Sequence, residues 1–133
     1  MNVKSLFIPF LLVVFFSCNT GSLPNTDIEV ARAFIQHILD NNFKDAERLV
    51  LKEETNKEYF DLFKKDYESK STDELEKYRQ SDIIITEISP VSDSVSIISY
   101  SNSYKKDQSN KVKVVRINGQ WLIDLKYTFS GNL

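Results

Sequence analysis

The spacing of apolar residues divides the chain into three segments with different periods. Residues 6–16 form an apolar run without a polar side chain. Residues 26–80 repeat apolar positions at helical spacing, and from Ser81 onward apolar and polar positions alternate as they do in strands. The pattern predicts an apolar leader, a helical half and a strand-rich half.

Capping patterns predict where the helices of the first half begin. Ser or Thr is followed three positions later by Glu in residues 26–29, 55–58 and 71–74, which is the form of a capping box. The Asn41-Asn42 pair is expected to end the first helix. A further short helix should follow this pair, with an apolar side made of Phe43, Ala46, Leu49 and Val50.

The second half predicts four strands. Pro90 should end the first of them, because proline cannot donate a ladder hydrogen bond. Asn118-Gly119 is a strong hairpin signal, since both positions of a type I′ turn need positive φ. The predicted strands cover residues 82–89, 94–104, 111–117 and 120–129, and residues 105–110 form a polar turn.

The two-residue turn fixes which residues face each other across the last hairpin. Arg116 should lie opposite Trp121, Val114 opposite Ile123 and Val112 opposite Leu125. On the other face Lys113 should meet Asp124, an ion pair worth less than about 1 kcal/mol if exposed. The fold class predicted for residues 26–133 is α+β, with N-terminal helices packed on a curved four-stranded antiparallel sheet.

Aromatic residues are the candidates for ligand contact. Tyr59, Phe60, Phe63 and Tyr67 form a dense stripe on the third predicted helix, which is either part of the core or the wall of a pocket. The candidate pocket-lining residues from both halves are Phe34, Tyr59, Phe63, Tyr67, Tyr100, Trp121 and Tyr127.

The leader has the composition of an export signal. Lys4 precedes the apolar run, which is too short to span a hydrocarbon core about 30 Å thick. The run ends in Phe16-Ser17-Cys18, which resembles the lipobox of bacterial lipoproteins. That resemblance implies removal of residues 1–17, lipidation of Cys18, and attachment to a cell-envelope membrane, with Asn19 favouring the outer membrane. Residues 18–25 then form the lipidated cysteine and its tether.

Composition excludes several function classes. The net charge of −2 offers no basic field for nucleic acid. Cys18 is the single cysteine, so no intramolecular disulfide can form. One histidine, one cysteine and three glycines supply neither a metal cluster nor a phosphate-binding loop, so we expect no metal and no cofactor.

Three short segments carry a resemblance to a fold family: residues 30–34, 42–46 and 118–124. With the lipobox, they resemble small bacterial lipoproteins of unassigned function that have a nuclear-transport-factor-2-like, cystatin-like cone domain. The resemblance implies helices followed by a curled sheet and carries over no catalytic residue.

The leading hypothesis is a non-enzymatic, lipid-anchored domain that binds a ligand or serves as an accessory protein. Its expected partners are a membrane, through Cys18, and a small ligand or an envelope protein; a homodimer is a further hypothesis. The alternative is an isomerase- or hydrolase-like enzyme of the same cone fold, because that fold also hosts enzymes. Its candidate catalytic residues would be Tyr59, Tyr67, Tyr100 or Glu87.

Overall fold

The structure is a computed structural model that describes residues 24–129. The predicted signal segment, the lipidation site Cys18 and most of the tether lie outside these residues. Within residues 24–129, every helix is too short or too polar to cross a membrane.

In the part of the chain that the structure describes, four helices precede a four-stranded antiparallel sheet, and one short helix follows it. The sheet is open and its strands lie in the order β1-β2-β3-β4. The helices are α1 (Asp27–Leu39), α2 (Phe43–Glu47), α3 (Glu54–Glu68), α4 (Thr72–Arg79) and α5 (Leu125–Phe129). The strands are β1 (Ile83–Ser92), β2 (Val95–Asn102), β3 (Asn110–Ile117) and β4 (Gln120–Asp124). The predicted α+β class is confirmed.

The first helix begins and ends where the sequence predicted. Thr26 and Glu29 form a reciprocal capping box, with both backbone-to-side-chain distances at 3.2 Å. Asn41 has φ 56°, a left-handed conformation that ends the helical path. The neighbouring Asn42 then caps α2 by accepting a hydrogen bond from the Asp45 backbone at 3.3 Å.

The third helix begins before the predicted capping box, so the prediction for residues 55–58 is wrong. Helix α3 starts at Glu54, and its N-cap residue Glu53 makes no side-chain cap. Asn56, in the first turn of α3, is fully buried, and its Oδ1 accepts hydrogen bonds from the Leu125 and Lys126 backbone amides at 2.7 and 3.2 Å. This long-range contact, which local spacing cannot reveal, joins the first turn of α3 to the start of α5.

Strand β1 continues through Pro90, so the predicted break is also wrong. Because β1 is an outer strand of the sheet, it tolerates a residue that lacks an N–H group. Pro90 pairs with Ser96, and the register shifts between Ile85 and Glu87 and again between Pro90 and Ser92.

The last hairpin confirms the predicted register near its turn. Arg116 faces Trp121 and Val114 faces Ile123, while Asn118 and Gly119 have φ values of 50° and 79°. The guanidinium of Arg116 lies 5.9 Å from the centre of the Trp121 ring. Lys113 pairs with Asp124 at 3.4 Å, but the Asp124 side chain is only 8% exposed. This pair is therefore more buried than the sequence indicated.

The predicted strand over residues 120–129 is too long, and Val112 does not pair with Leu125. The strand β4 ends at Asp124, and α5 follows. The amides of Leu125 and Lys126 donate to Asn56, and Lys126 also donates to Asp124 Oδ1 at 3.2 Å. These side-chain acceptors take the amides away from a sheet ladder and allow a helical turn to form.

The core forms where the helices cover one side of the sheet, here called the helix-facing face. This face presents Ile98, Val112, Val114 and Ile123, each at most 2% exposed. Helix α1 covers it with Val30, Ala31, Phe34 and Ile35, all at most 3% exposed. Residues 49–51 hydrogen-bond to Ile123 at the β4 edge, so that edge is partly covered. Between these layers lies a space that side chains do not fill.

Candidate functional site

A cavity of about 170 Å³ lies between α1, α3 and the helix-facing face of β2 and β3. Its apolar and aromatic lining consists of Ile35, Ile38, Leu39, Phe63, Tyr67, Tyr78 and Tyr100. Its polar lining consists of Asp66, Lys70, Asn102, Gln108 and Asn110. We refer to this space as the tyrosine cavity.

Helical spacing explains how α1 and α3 supply two walls of the tyrosine cavity. Ile35, Ile38 and Leu39 occupy positions i, i+3 and i+4 of α1, so they share one side of that helix. Phe63 and Tyr67 stand one turn apart on α3 and face the same space. The Tyr67 hydroxyl donates to the Leu39 carbonyl at 3.4 Å, and this bond ties the two walls together.

The opposite wall comes from alternate positions of the sheet. Tyr100 and Asn102 are two residues apart in β2, and Asn110 of β3 pairs with Tyr100, so all three side chains share the helix-facing face. Within residues 24–129 the Tyr100 hydroxyl has no hydrogen-bond partner. Burial raises the pKa of Tyr100 to about 12, so this hydroxyl stays neutral in ordinary buffers.

Asn102 is held in a fixed orientation by the chain that follows it. Its Oδ1 accepts hydrogen bonds from the Tyr104 and Lys105 backbone amides at 3.1 and 2.9 Å. The residue is 7% exposed, and its Nδ2 donor has no partner among the described residues. An oriented amide donor therefore borders the tyrosine cavity without a protein acceptor.

The charged lining residues neutralise each other. Lys70 Nζ lies 3.4 Å from Asp66 Oδ2, and the Lys70 side chain is 23% exposed. The Asp66 side chain is 74% exposed, so this is a solvent-screened surface pair that leaves the described lining with no net charge.

A continuous aromatic network supports the cavity from behind. Phe43 makes edge contacts with Phe60, Phe63 and Tyr67 at centroid distances of 5.8, 6.3 and 5.6 Å. The centre of the Tyr67 ring in turn lies 5.5 Å from the centre of the Tyr78 ring. These contacts hold the rings of the wall in place.

Three of the seven candidate pocket residues border the tyrosine cavity: Phe63, Tyr67 and Tyr100. The others lie elsewhere. Phe34 is buried in the core, and Tyr59 packs against it. Trp121 stacks with Arg116 at the end of β3 far from Asn110, and Tyr127 lies 5.9 Å from Lys113. Whether the three bordering residues bind a ligand stays a prediction.

Sequence reasoning missed the polar half of the lining. Residues 105–110 were interpreted as a turn, so Gln108 and Asn110 were not considered as site residues. Asn102 could have been found, because it follows Tyr100 at the two-residue spacing of one strand face. Tyr78 and the Asp66–Lys70 pair carry no such signal, since only the packing of α3 and α4 brings them to the cavity.

A larger cleft of about 270 Å³ lies between residues 50–54 and the start of α3. Two of its charged residues have protein partners: Glu53 pairs with Lys126, and Lys57 Nζ lies 2.7 Å from Asp61 Oδ2. All of its charged side chains are exposed to solvent. Because water screens exposed charges, the cleft is the weaker candidate site.

The carboxylate considered for catalysis does not reach the tyrosine cavity. Glu87 pairs with Ser99, so it lies on the face opposite the helices, where it is exposed and accepts a hydrogen bond from the Ser89 hydroxyl at 3.0 Å. Within residues 24–129, acidic, histidine and cysteine side chains form no group that could hold a metal.

Alkaline pH should destabilise the folded state through the cavity tyrosines. Burial also raises the pKa of Tyr67. Each of these tyrosines has a higher pKa in the folded state than in the unfolded state, where it is near 10. Its contribution to stability is complete below pH 10 and is lost as the pH rises through the folded-state pKa. The urea midpoint of the wild type should therefore fall between pH 10 and about 12.

The Tyr100→Phe variant tests this pH dependence. It should match the wild type at neutral pH to within about 1 kcal/mol, because no protein hydrogen bond is lost. Its urea midpoint should fall less steeply at alkaline pH. Tyr104→Phe, which alters an exposed ring, is the control and should keep the wild-type slope. Equal slopes for Tyr100→Phe and the wild type would contradict the prediction.

Comparisons with protein-family models, with curated proteins and with solved structures found no match.

Proposed function

We propose that this chain is a lipid-anchored protein of the bacterial cell envelope whose α+β domain binds a small uncharged molecule in the tyrosine cavity. Export through the leader and lipidation of Cys18 would hold the domain close to a membrane surface, with the outer membrane favoured by Asn19. The proposal includes the finer assignment of the domain to the nuclear-transport-factor-2-like cone folds. The order of helices before an antiparallel sheet supports that assignment.

The observation that carries the proposal is a cavity bordered by polar groups that the fold does not use. Polar groups at the wall of a cavity can bond to water or to a ligand, and within residues 24–129 the buried side-chain polar atom that lacks a partner, Asn56 Nδ2, lies outside this lining. Tyr100 and Asn102 keep a hydroxyl and an amide donor without partners among the described residues, and both border the same space. A ligand with matching acceptors would supply the missing bonds.

The enzymatic alternative receives less support from the geometry. An isomerase-like mechanism on this fold needs an available carboxylate beside the substrate. Asp66 is the one carboxylate of the described lining, but its side chain is 74% exposed and pairs with Lys70, so it is not held inside the cavity as a general base would be. We therefore propose binding without catalysis.

Blocking the mouth of the cavity tests the proposal. Saturation-transfer NMR would measure binding of D-glucose and benzyl alcohol to the full-length lipidated protein in detergent. Gln108 is an exposed lining residue, so Gln108→Trp should close the mouth with little effect on folding. We expect at least one probe to bind the wild type and to lose binding in this variant.

Ser109→Trp provides the matched control. Ser109 is equally exposed and adjacent in the chain, but it does not border the tyrosine cavity. Probe signals from partitioning into detergent should be the same in both variants, so their difference reports the cavity alone. Failure of both probes to distinguish Gln108→Trp from Ser109→Trp would contradict the proposed function.

A further inference from the structure

The lining of the tyrosine cavity combines oriented hydrogen-bonding groups with flat aromatic surface. We propose that its ligand is a neutral polyhydroxylated ring, namely a single sugar residue. This inference rests on the proposed function and specifies the chemical class of the ligand.

The polar wall matches hydroxyl groups, which both donate and accept hydrogen bonds. Asn102 offers its Nδ2 donor in a fixed direction, because two backbone amides hold its Oδ1. Asn110 uses its Nδ2 to donate to the Gln108 carbonyl at 3.2 Å, which leaves its Oδ1 as an acceptor. The Tyr100 hydroxyl can serve as either. Three adjacent groups thus present a donor, an acceptor and a group that can be both.

The facing wall matches the C–H surface of a sugar ring. Phe63, Tyr67 and Tyr78 border the cavity, but Tyr67 and Tyr78 are only 4% and 8% exposed and Lys105 Nζ already lies over the Tyr78 ring. Phe63 is partly exposed, so its ring offers the aromatic surface on which the C–H groups of a sugar can pack. Ile35 and Ile38 add aliphatic surface on the α1 side. A ligand that is polar all around would leave this wall without a partner, and a purely apolar ligand would leave the amide wall unpaired.

Charge and size narrow the class further. The Asp66–Lys70 pair gives the lining no net charge, so the lining favours neither an anion nor a cation. The cavity of about 170 Å³ is smaller than the roughly 300–1,000 Å³ typical of drug-sized ligands. At about 30 Å³ per water molecule, it offers the space of some six waters, which suits one ring rather than a chain of rings.

The experiment measures D-glucose affinity for the full-length lipidated protein in detergent by saturation-transfer NMR. Two variants remove one polar group each: Tyr100→Phe and Asn110→Leu. Each should weaken binding about tenfold, as expected for loss of one hydrogen bond to a bound ligand, and the double variant should weaken it further. Asn102 is left intact because its Oδ1 also holds the following turn.

Tyr127→Phe is the matched control, since it removes one hydroxyl from a tyrosine that does not border the cavity. It should bind D-glucose as the wild type does. Far-ultraviolet circular dichroism would establish that each variant is folded. If one of the two single variants is misfolded, the other single variant carries the test.

Two further sugars refine the assignment. Maltose should bind as tightly as D-glucose if the natural ligand is the end ring of a glycan, and more weakly if it is a free monosaccharide. D-glucuronate should bind more weakly than D-glucose, because the lining offers no free cation.

Four outcomes would overturn the inference. Unchanged D-glucose binding in the double variant would place the sugar elsewhere, and tighter binding of D-glucuronate would show an anion site. Binding of benzyl alcohol alone, abolished by Gln108→Trp, would refute the sugar while leaving the proposed function intact. Failure of both probes would refute the proposed function as well, so the two failures are distinguishable.

Discussion

Phe43→Ala is expected to lower the free energy of unfolding by about 3–5 kcal/mol. Phe43 is 4% exposed and its ring contacts Phe60, Phe63 and Tyr67. Truncation would remove buried apolar surface and leave a void that three rings on α3 cannot fill without leaving their own partners. Urea unfolding monitored by circular dichroism measures the change.

Leu62→Ala is the matched control for this substitution. Leu62 lies on the same helix as the three rings but is 63% exposed, so its truncation should change stability by less than about 0.5 kcal/mol. Equal losses for Phe43→Ala and Leu62→Ala would refute the aromatic network as the stabilising centre behind the tyrosine cavity.

Cys18→Ala is expected to abolish lipid attachment completely. Each buried methylene of an acyl chain contributes about 0.8 kcal/mol to membrane binding, so several chains make attachment effectively permanent. The wild type should incorporate labelled palmitate, and its intact mass should show loss of residues 1–17 together with added lipid. The variant should show neither change.

Ser17→Ala supplies the control, because alanine keeps a small residue before the cysteine. It should be labelled and cleaved as the wild type is. A wild-type protein that is cleaved before Cys18 but carries no lipid mass would contradict the anchoring proposal. Mass and labelling are the decisive measurements, since an uncleaved apolar leader could itself retain the variant in a membrane fraction.

The sequence predicted those parts of the fold that depend on neighbours in the chain. The capping box at residues 26–29 and the Asn118-Gly119 turn both form as expected. Each involves groups within about four residues of one another, so their geometry follows from residue type and spacing. The register from Lys113 to Ile117 follows from the same turn, because a two-residue loop leaves no freedom to slip.

The sequence pattern gave a wrong strand end where a distant residue accepts the backbone hydrogen bonds. Residues 120–129 alternate as a strand should, yet β4 ends at Asp124 because Asn56, far away in the chain, accepts the Leu125 and Lys126 amides. The same contact holds Asn56 buried in the first turn of α3, and that helix starts at Glu54, ahead of the apparent capping box. Local patterns describe preferences, and here tertiary hydrogen bonds outweigh them.

By itself, the sequence determined the α+β class, the hairpin register and the aromatic character of the third helix. Only the tertiary structure decided which aromatic residues fill the core and which border a space. Phe34 and Tyr100 both carry aromatic rings. Phe34 packs from α1 into the core, whereas Tyr100 faces a gap that α1 and α3 leave open. Periodicity assigns a residue to a face, but the fit between packed elements decides whether that face is filled.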